Sequence, residues 1–299
     1  MSKFLFVFLI LTIPSVANES LEKIATNQKN DYTNIQIKKL IKKIEKKLPR
    51  TEISVTNVEN VKPEYSILTV QPILFKEESL NTFFWQGSGF IHDNLDRQTI
   101  NFGLGYRKMV FEKKLLLGTN LFYDHEFPYN HGRTSLGLEL RTTVGEINAN
   151  RYWSTRDWVT ANSNNTERAL SGHDIEASVP LPYMNWANLS YNKFHWYGKE
   201  IENIGGTKTS LSAIIPQLPN LLIRIDRTKY NSDAIDNTDS LTLSYVFKAS
   251  EKKQVHKSFF NNKAYELSSM ENERFNLVNR ENEILKEVNN DGVFNFKGV

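Results

Sequence analysis

Gln98-Thr-Ile-Asn-Phe-Gly-Leu-Gly-Tyr-Arg-Lys-Met109 decides the fold, because it alternates apolar and polar or small residues. In an extended strand Ile100, Phe102, Leu104 and Tyr106 fall on one face. Thr99, Asn101, Gly103, Gly105 and Arg107 fall on the other. The device repeats as far as Phe247 in short segments separated by turns, and no apolar run there is long enough for a spanning helix. Leu136, Leu138 and Leu140 oppose Ser135, Glu139 and Arg141. Ile175, Ala177 and Val179 oppose Asp174, Glu176 and Ser178, and Leu241, Leu243, Tyr245 and Phe247 oppose Thr242 and Ser244. One face of each segment demands lipid or core while the other tolerates water, as a closed barrel with a wet lumen in an outer membrane requires.

The pattern predicts an all-β, twelve-stranded antiparallel transmembrane barrel between Thr51 and Phe247. Its strands are expected near 51–58, 65–75, 82–92, 98–109, 115–126, 133–142, 146–154, 172–180, 187–197, 208–216, 220–229 and 239–247. If the first runs outward, the connections at 127–132, 155–171, 198–207 and 230–238 are external, and those at 143–145, 181–186 and 217–219 are periplasmic. The longest, Thr155–Ser171, is rich in Asn, Ser and Thr and reads as a solvated loop. Phe83, Phe84, Trp85, Tyr123, Trp153, Trp158, Trp186, Trp196 and Tyr197 gather toward strand ends, where girdles at two interfaces are expected.

The first seventeen residues set the compartment: Lys3, the apolar stretch Phe4–Ile13 and Ser15-Val16-Ala17 have the order of a secretory signal peptide, with the mature chain expected from Asn18. The 299 residues contain no cysteine, which argues against a small disulfide-stapled scaffold, and a net charge of +3 gives no case for nucleic acid. A mean hydropathy of -0.47 suits a barrel whose lumen residues dilute its lipid-facing ones.

Outside the barrel, residues 18–50 read as a periplasmic leader. Within it Ile37, Leu40, Ile41, Ile44 and Leu48 recur at helical spacing among lysines, predicting a short basic amphipathic helix over Ile35–Leu48 that ends at Pro49. Residues 248–299 read as a C-terminal segment with a helix over Ala264–Val278 and a pore-linker-like tail over Asn279–Val299. At about 3.3 Å per residue that tail is long enough to cross a bilayer extended within the lumen.

No catalytic, cofactor-binding or metal-binding residue is expected, and the chain reads as no enzyme. Asp124-His125 and His173-Asp174 are the pairs an Asp/His protease at the rim would use, and both read more simply as rim polar residues. Ser190, Asn192 and His195 fail as a lipase set because Ser190 and Asn192 share a parity that His195 does not. No pair of histidines has metal-ligand spacing with a carboxylate, and Asp226, Asp233, Asp236 and Asp239 read as solvated. Gly103-x-Gly105 lacks the helix a phosphate loop requires.

Several blocks resemble the translocator domain of intimin and invasin, the inverse autotransporters. They are Gln98–Tyr106, Leu117–His125, Arg133–Glu139, Asn148–Ser154 with Asp157-Trp158, Gly172–Ala177 and Arg274–Ile284, in that order. The resemblance implies a twelve-stranded barrel with its N-terminus in the periplasm, preceded by a short helix. A linker then passes back through the pore to present an adhesin. It implies outer-membrane lipid as surroundings, barrel-assembly machinery and periplasmic chaperones as partners, an unknown host receptor, and the outer membrane of a Gram-negative bacterium as location. Only a dozen residues follow Glu287, so no passenger domain of about 100 residues is expected within this chain, nor a peptidoglycan-binding module before Ile35. The alternatives are a small channel or porin, and an adhesin working through the loops Thr155–Ser171 and Gly198–Thr207.

Overall fold

A computed structural model describes residues 50–58, 63–74, 76–92, 96–162, 165–233, 235–248, 259–290 and 293–297. The expected signal peptide, leader and amphipathic helix over Ile35–Leu48 lie outside the described residues.

The strands are β1 Arg50–Val58, β2 Glu64–Leu74, β3 Asn81–His92, β4 Arg97–Val110, β5 Leu115–Phe127, β6 His131–Thr142 and β7 Gly145–Ser154. A small hairpin comes next, β8 Val159–Asn162 and β9 Asn165–Ala169. Then come β10 Ser171–Leu181, β11 Met184–Tyr197, β12 Ile204–Ile214, β13 Leu221–Tyr230, β14 Thr238–Lys248, β15 Lys286–Asn290 and β16 Val293–Lys297. β1–β7 and β10–β14 pair with their neighbours in antiparallel order, and β14 returns to β1 from Arg50↔Lys248 to Val58↔Ser240. Twelve strands therefore close without an edge, the condition a sheet must meet in hydrocarbon. Every barrel strand lies within four residues of the bounds its alternation predicts.

The two faces sort as the period of two requires. Ile100, Phe102 and Leu104 on β4 are about half exposed at 54%, 53% and 50%. Leu121, Leu138, Ile175 and Ile225 continue the apolar belt on β5, β6, β10 and β13. An apolar patch of this extent is untenable in water and is at rest against acyl chains. Between these residues, Thr99, Asn101, Arg107, Asn120, Asp124, Arg133, Glu139 and Arg141 are buried in the lumen. Among the described residues no helix is long and apolar enough to cross a membrane; this barrel crosses with strands.

Lumen packing corrects the aromatic girdle. Phe83, Tyr123 and Trp153 are outward at 42–46% exposure, whereas Phe84 and Trp196 are buried at 0% and 2% because their parity points them inward. The same packing explains the glycines of β4: a Cβ on Gly105 would lie 2.1 Å from the Phe84 ring and one on Gly103 would lie 2.4 Å from the Phe122 ring. Each glycine is paired across the sheet with that phenylalanine, and its missing side chain is the space the ring occupies.

Two further expectations need correction. The loop over 155–171 is not simply solvated, because it contains the hairpin β8–β9, with Ala161, Glu167, Ala169 and Leu170 buried. The segment 264–278 forms no α-helix; its one helical element is a single 3-10 turn at Glu271–Glu273. Its backbone is claimed by the barrel wall instead, and such tertiary contacts override helix propensity.

Candidate functional site

From residue 259 the chain turns back and runs along the barrel axis. At the end where β1 begins and β14 finishes, Asn261 N donates to Tyr183 O at 2.8 Å, Thr143 Oγ1 to Glu266 O at 2.8 Å, and Met270 N to Lys113 O at 2.8 Å. At the opposite, distal end, Leu170 N donates to Leu285 O at 2.8 Å, and β15 pairs with β9 in the four-stranded order β16-β15-β9-β8. Residues 270–286 therefore traverse the lumen from one mouth to the other.

Within it the wall grips the tail chiefly by its backbone. On β4, Arg107 Nη1 donates to Arg274 O at 2.8 Å and Asn276 O at 2.7 Å, and Asn101 Nδ2 donates to Asn282 O at 3.0 Å. On β6, Arg141 Nη2 reaches Leu277 O at 2.8 Å and Arg133 Nη2 reaches Glu281 O at 2.8 Å. On β7, Asn150 Nδ2 reaches Asn279 O at 3.1 Å. Tail amides are met as well: Val278 N donates to Gln86 Oε1 and Glu281 N to the Tyr152 hydroxyl, each within 2.8 Å. A polypeptide packed against the lumen wall must have its buried peptide groups satisfied, and these side chains do what water would otherwise do.

Side chains add register. Arg280 forms a bidentate pair with Asp124, whose carboxylate also accepts from Arg133 Nε at 2.9 Å. Lys208 lies 3.4 Å from Glu281, Lys286 donates to Glu126 at 2.6 Å, and Asn279 donates to Glu176. Phe275 and Val278 pack with Val70, Phe84 and Phe122, with Leu277 against them, while Leu285 packs at the distal mouth beside Tyr152, Leu170 and Trp196. The tail fills one side of the lumen; beside it a cavity of about 420 Å³ is bounded by polar residues of β1, β12, β13 and β14, among them Glu52, Ser54, Arg224 and Asp226.

Beyond the barrel strands, Glu167 on β9 accepts from Arg97 at 2.6 and 2.9 Å and lies 3.1 Å from His131 Nε2. Burial pushes its carboxyl up, and the hydrogen bonds from His131 and Arg97 outweigh that, holding it down at about 2.

The residues weighed for catalysis do not converge. Asp124 is buried in the lumen network, whereas His125 lies outside near Tyr123 and Asn130. Asp174 faces inward, accepting from Tyr152 and Asn150, and His173 faces outward beside His195 and Tyr197. Neighbours in a strand take opposite faces, so neither sequence pair is a spatial pair. Sequence reasoning placed Arg107 and Arg141 on the wet face of their strands and Asp124 at the rim but missed the ligand they share with Arg133, the chain's own tail. The block Arg274–Ile284, noted for its resemblance, was the available signal.

A closed twelve-stranded barrel with an apolar belt and a peptide segment held across its lumen is an outer-membrane β-barrel of the translocator and anchor class. The chain belongs to the inverse autotransporter β-domain family, whose model matches residues 13–282. It is 29% identical over 126 residues to the inverse autotransporter adhesin YeeJ of Escherichia coli (strain K12), covering 40% of this chain and 5% of that protein. It is 24% identical over 147 residues to the protein YchO of the same organism, covering 47% of this chain and 32% of that protein. The chain thus spans a third or less of the curated relatives it matches. A barrel solved in work on the in-meso crystallization of membrane proteins superposes with a TM-score of 0.64 at 21% identity, covering 80% of this chain and 99% of that one. Family and fold together place the chain in the outer membrane of a Gram-negative bacterium.

Proposed function

We propose that this barrel anchors its own C-terminal segment in the outer membrane and presents polypeptide joined to that segment on the outer surface. One observation carries the reading: six carbonyls between Arg274 and Asn282 are held by wall side chains. Such a grip recognises extended backbone more than any one side chain, which suits a pore through which polypeptide has passed. With strand termini in the periplasm, as barrels of this kind require, the tail runs outward and β15 and β16 lie outside. The role needs no catalytic group, and the chain acts by structure. Its insertion calls for periplasmic chaperones and barrel-assembly machinery. A host-cell receptor would be engaged by a passenger, making adhesion a property of the presented domain.

The test is a tag placed after Val299 and probed by protease on intact cells. Cleavage from outside is expected; a tag reached only after the outer membrane is opened overturns the orientation. The polar cavity beside the tail supports a second reading, in which the barrel also conducts small solutes. Conductance unchanged after removal of residues 265–299 would favour it.

A further inference from the structure

We propose that Glu64, His92 and Glu283 form a divalent-metal site that ties the threaded tail to the distal rim, with zinc the ion its donors suit. Glu64 is the first residue of β2 and His92 the last of β3, so antiparallel pairing brings both to the distal mouth, and the tail delivers Glu283 between them. One ligand atom from each lies within 4.8 Å of the others. His92 Nδ1 is 2.7 Å from Glu64 Oε2, while its Nε2 lies 3.4 Å from Thr99 Oγ1. With the ring proton on Nε2 toward Thr99, the Nδ1 lone pair is directed at the carboxylate, as a metal ligand braced by a hydroxyl would be.

Charge makes the same point. Glu64 is 7% exposed, and its Oε2 is buried without a hydrogen bond of good geometry despite the nearby imidazole. Among the described residues no Lys or Arg pairs with Glu64 or Glu283; the nearby Lys208 is engaged by Glu281. A comparable trio, Glu126, His131 and Glu167, lies at the same end of the barrel. There Arg97 and Lys286 already supply two cations to two carboxylates, leaving no charge for a metal to neutralise. At the Glu64 cluster the carboxyl groups of Glu64 and Glu283 hydrogen-bond to each other, and a dication takes the place of the proton they share and balances both. An imidazole nitrogen with two carboxylate oxygens suits zinc better than calcium or magnesium, which favour all-oxygen shells. Zinc at about 2.0–2.2 Å from each donor spaces ligand atoms about 3.4 Å apart, within reach of small rotations from the present positions.

The untagged mature chain, refolded into detergent and stripped with chelator, is titrated with zinc chloride by calorimetry, and retained metal is counted by elemental mass spectrometry. One zinc per chain is expected. His92→Ala and Glu283→Gln should each weaken binding by at least about tenfold, while His131→Ala leaves it unchanged. Heat-dependent migration on gels verifies that every variant is a folded barrel. Wild-type binding no tighter than that of His92→Ala, or loss of zinc in His131→Ala alone, overturns the assignment and leaves an imidazole–carboxylate contact. Tag exposure on cells is scored separately, so failure here does not touch the orientation of the tail.

Discussion

Arg280 in the tail and Asp124 on β5 form a bidentate ion pair across 156 residues of sequence, with Nη1 2.9 Å from Oδ1 and Nη2 2.6 Å from Oδ2, and neither side chain is exposed. The same carboxylate accepts from Arg133, so one anion is shared by two guanidinium groups. Their unequal roles give a first prediction. Arg280→Ala leaves Asp124 still paired with Arg133, whereas Asp124→Ala leaves two buried cations facing each other. Removing one partner of a buried pair costs about 3–5 kcal/mol, with Arg280→Ala at the low end and Asp124→Ala at the high end. The loss should fall on tail docking, because the strand ladders are untouched. Amide exchange over 276–286 reads it, and equal protection in both variants would contradict the shared-anion arrangement.

Gly105 and Phe84 supply a second. A Cβ at Gly105 would sit 2.1 Å from the ring of Phe84, which is itself wedged against Val70, Phe122, Phe275 and Val278. Gly105→Ala is therefore expected to destabilise the barrel by about 1–3 kcal/mol through overpacking. Phe84→Leu should recover part of it, since the smaller side chain vacates the contested space. The midpoint of heat-dependent gel migration for both single variants and the double variant measures the coupling. Strict additivity would show that the ring is not what excludes the methyl group.

The barrel was legible because a strand exposed to lipid on one side and solvent on the other writes a period of two into its residues, as Ile100, Phe102 and Leu104 do against Thr99 and Asn101. What the lumen holds has no such period. Asp124 reads as a rim acid beside His125 until the fold puts Arg280 against it, and Phe84 reads as girdle until its parity is followed inward. The hairpin β8–β9 was hidden for a related reason. Its strands are short and polar, and the apolar shelter beside it is Leu170 packed on Trp196 and Leu285. Ala264–Val278 misled in the opposite direction, since helix-favouring residues there spend their backbone groups on Thr143, Lys113, Arg107 and Arg141.

Glu167 gives a pH dependence with a definite sign. Its carboxyl is held at about 2, below the ordinary 4.5, by the ring of His131 and the guanidinium of Arg97 despite burial. A depressed acid contributes stability that is complete above about 4.5 and is lost as pH falls through about 2. Because β9 carries both Glu167 and the pairing with β15, acidification in that window should loosen the distal sheet. Pepsin cleavage between 159 and 169 is expected to rise from pH 4.5 to pH 2 in wild type. In Glu167→Gln it should be raised already at pH 4.5, and a wild-type profile in that variant would exclude Glu167 as the titrating group.

Removing residues 270–299 tests how completely the tail closes the pore. With the tail present, the open space beside it is about 420 Å³ and is bounded by its own residues 276–283. Without it, the lumen groups that held its carbonyls turn to water but keep partners on the wall: Arg107 remains on Glu139 at 2.7 Å, Arg133 on Asp124 at 2.9 Å and Arg141 beside Glu146 at 3.3 Å. No wall charge is stranded in a dry site, since hydration replaces the lost backbone acceptors as the lumen fills. The twelve ladders are also left whole. The truncated barrel should therefore still show heat-dependent migration while its single-channel conductance rises several-fold over the full chain. A conductance equal to that of the full chain would mean that current already flows past the tail, through the space along β1 and β12–β14.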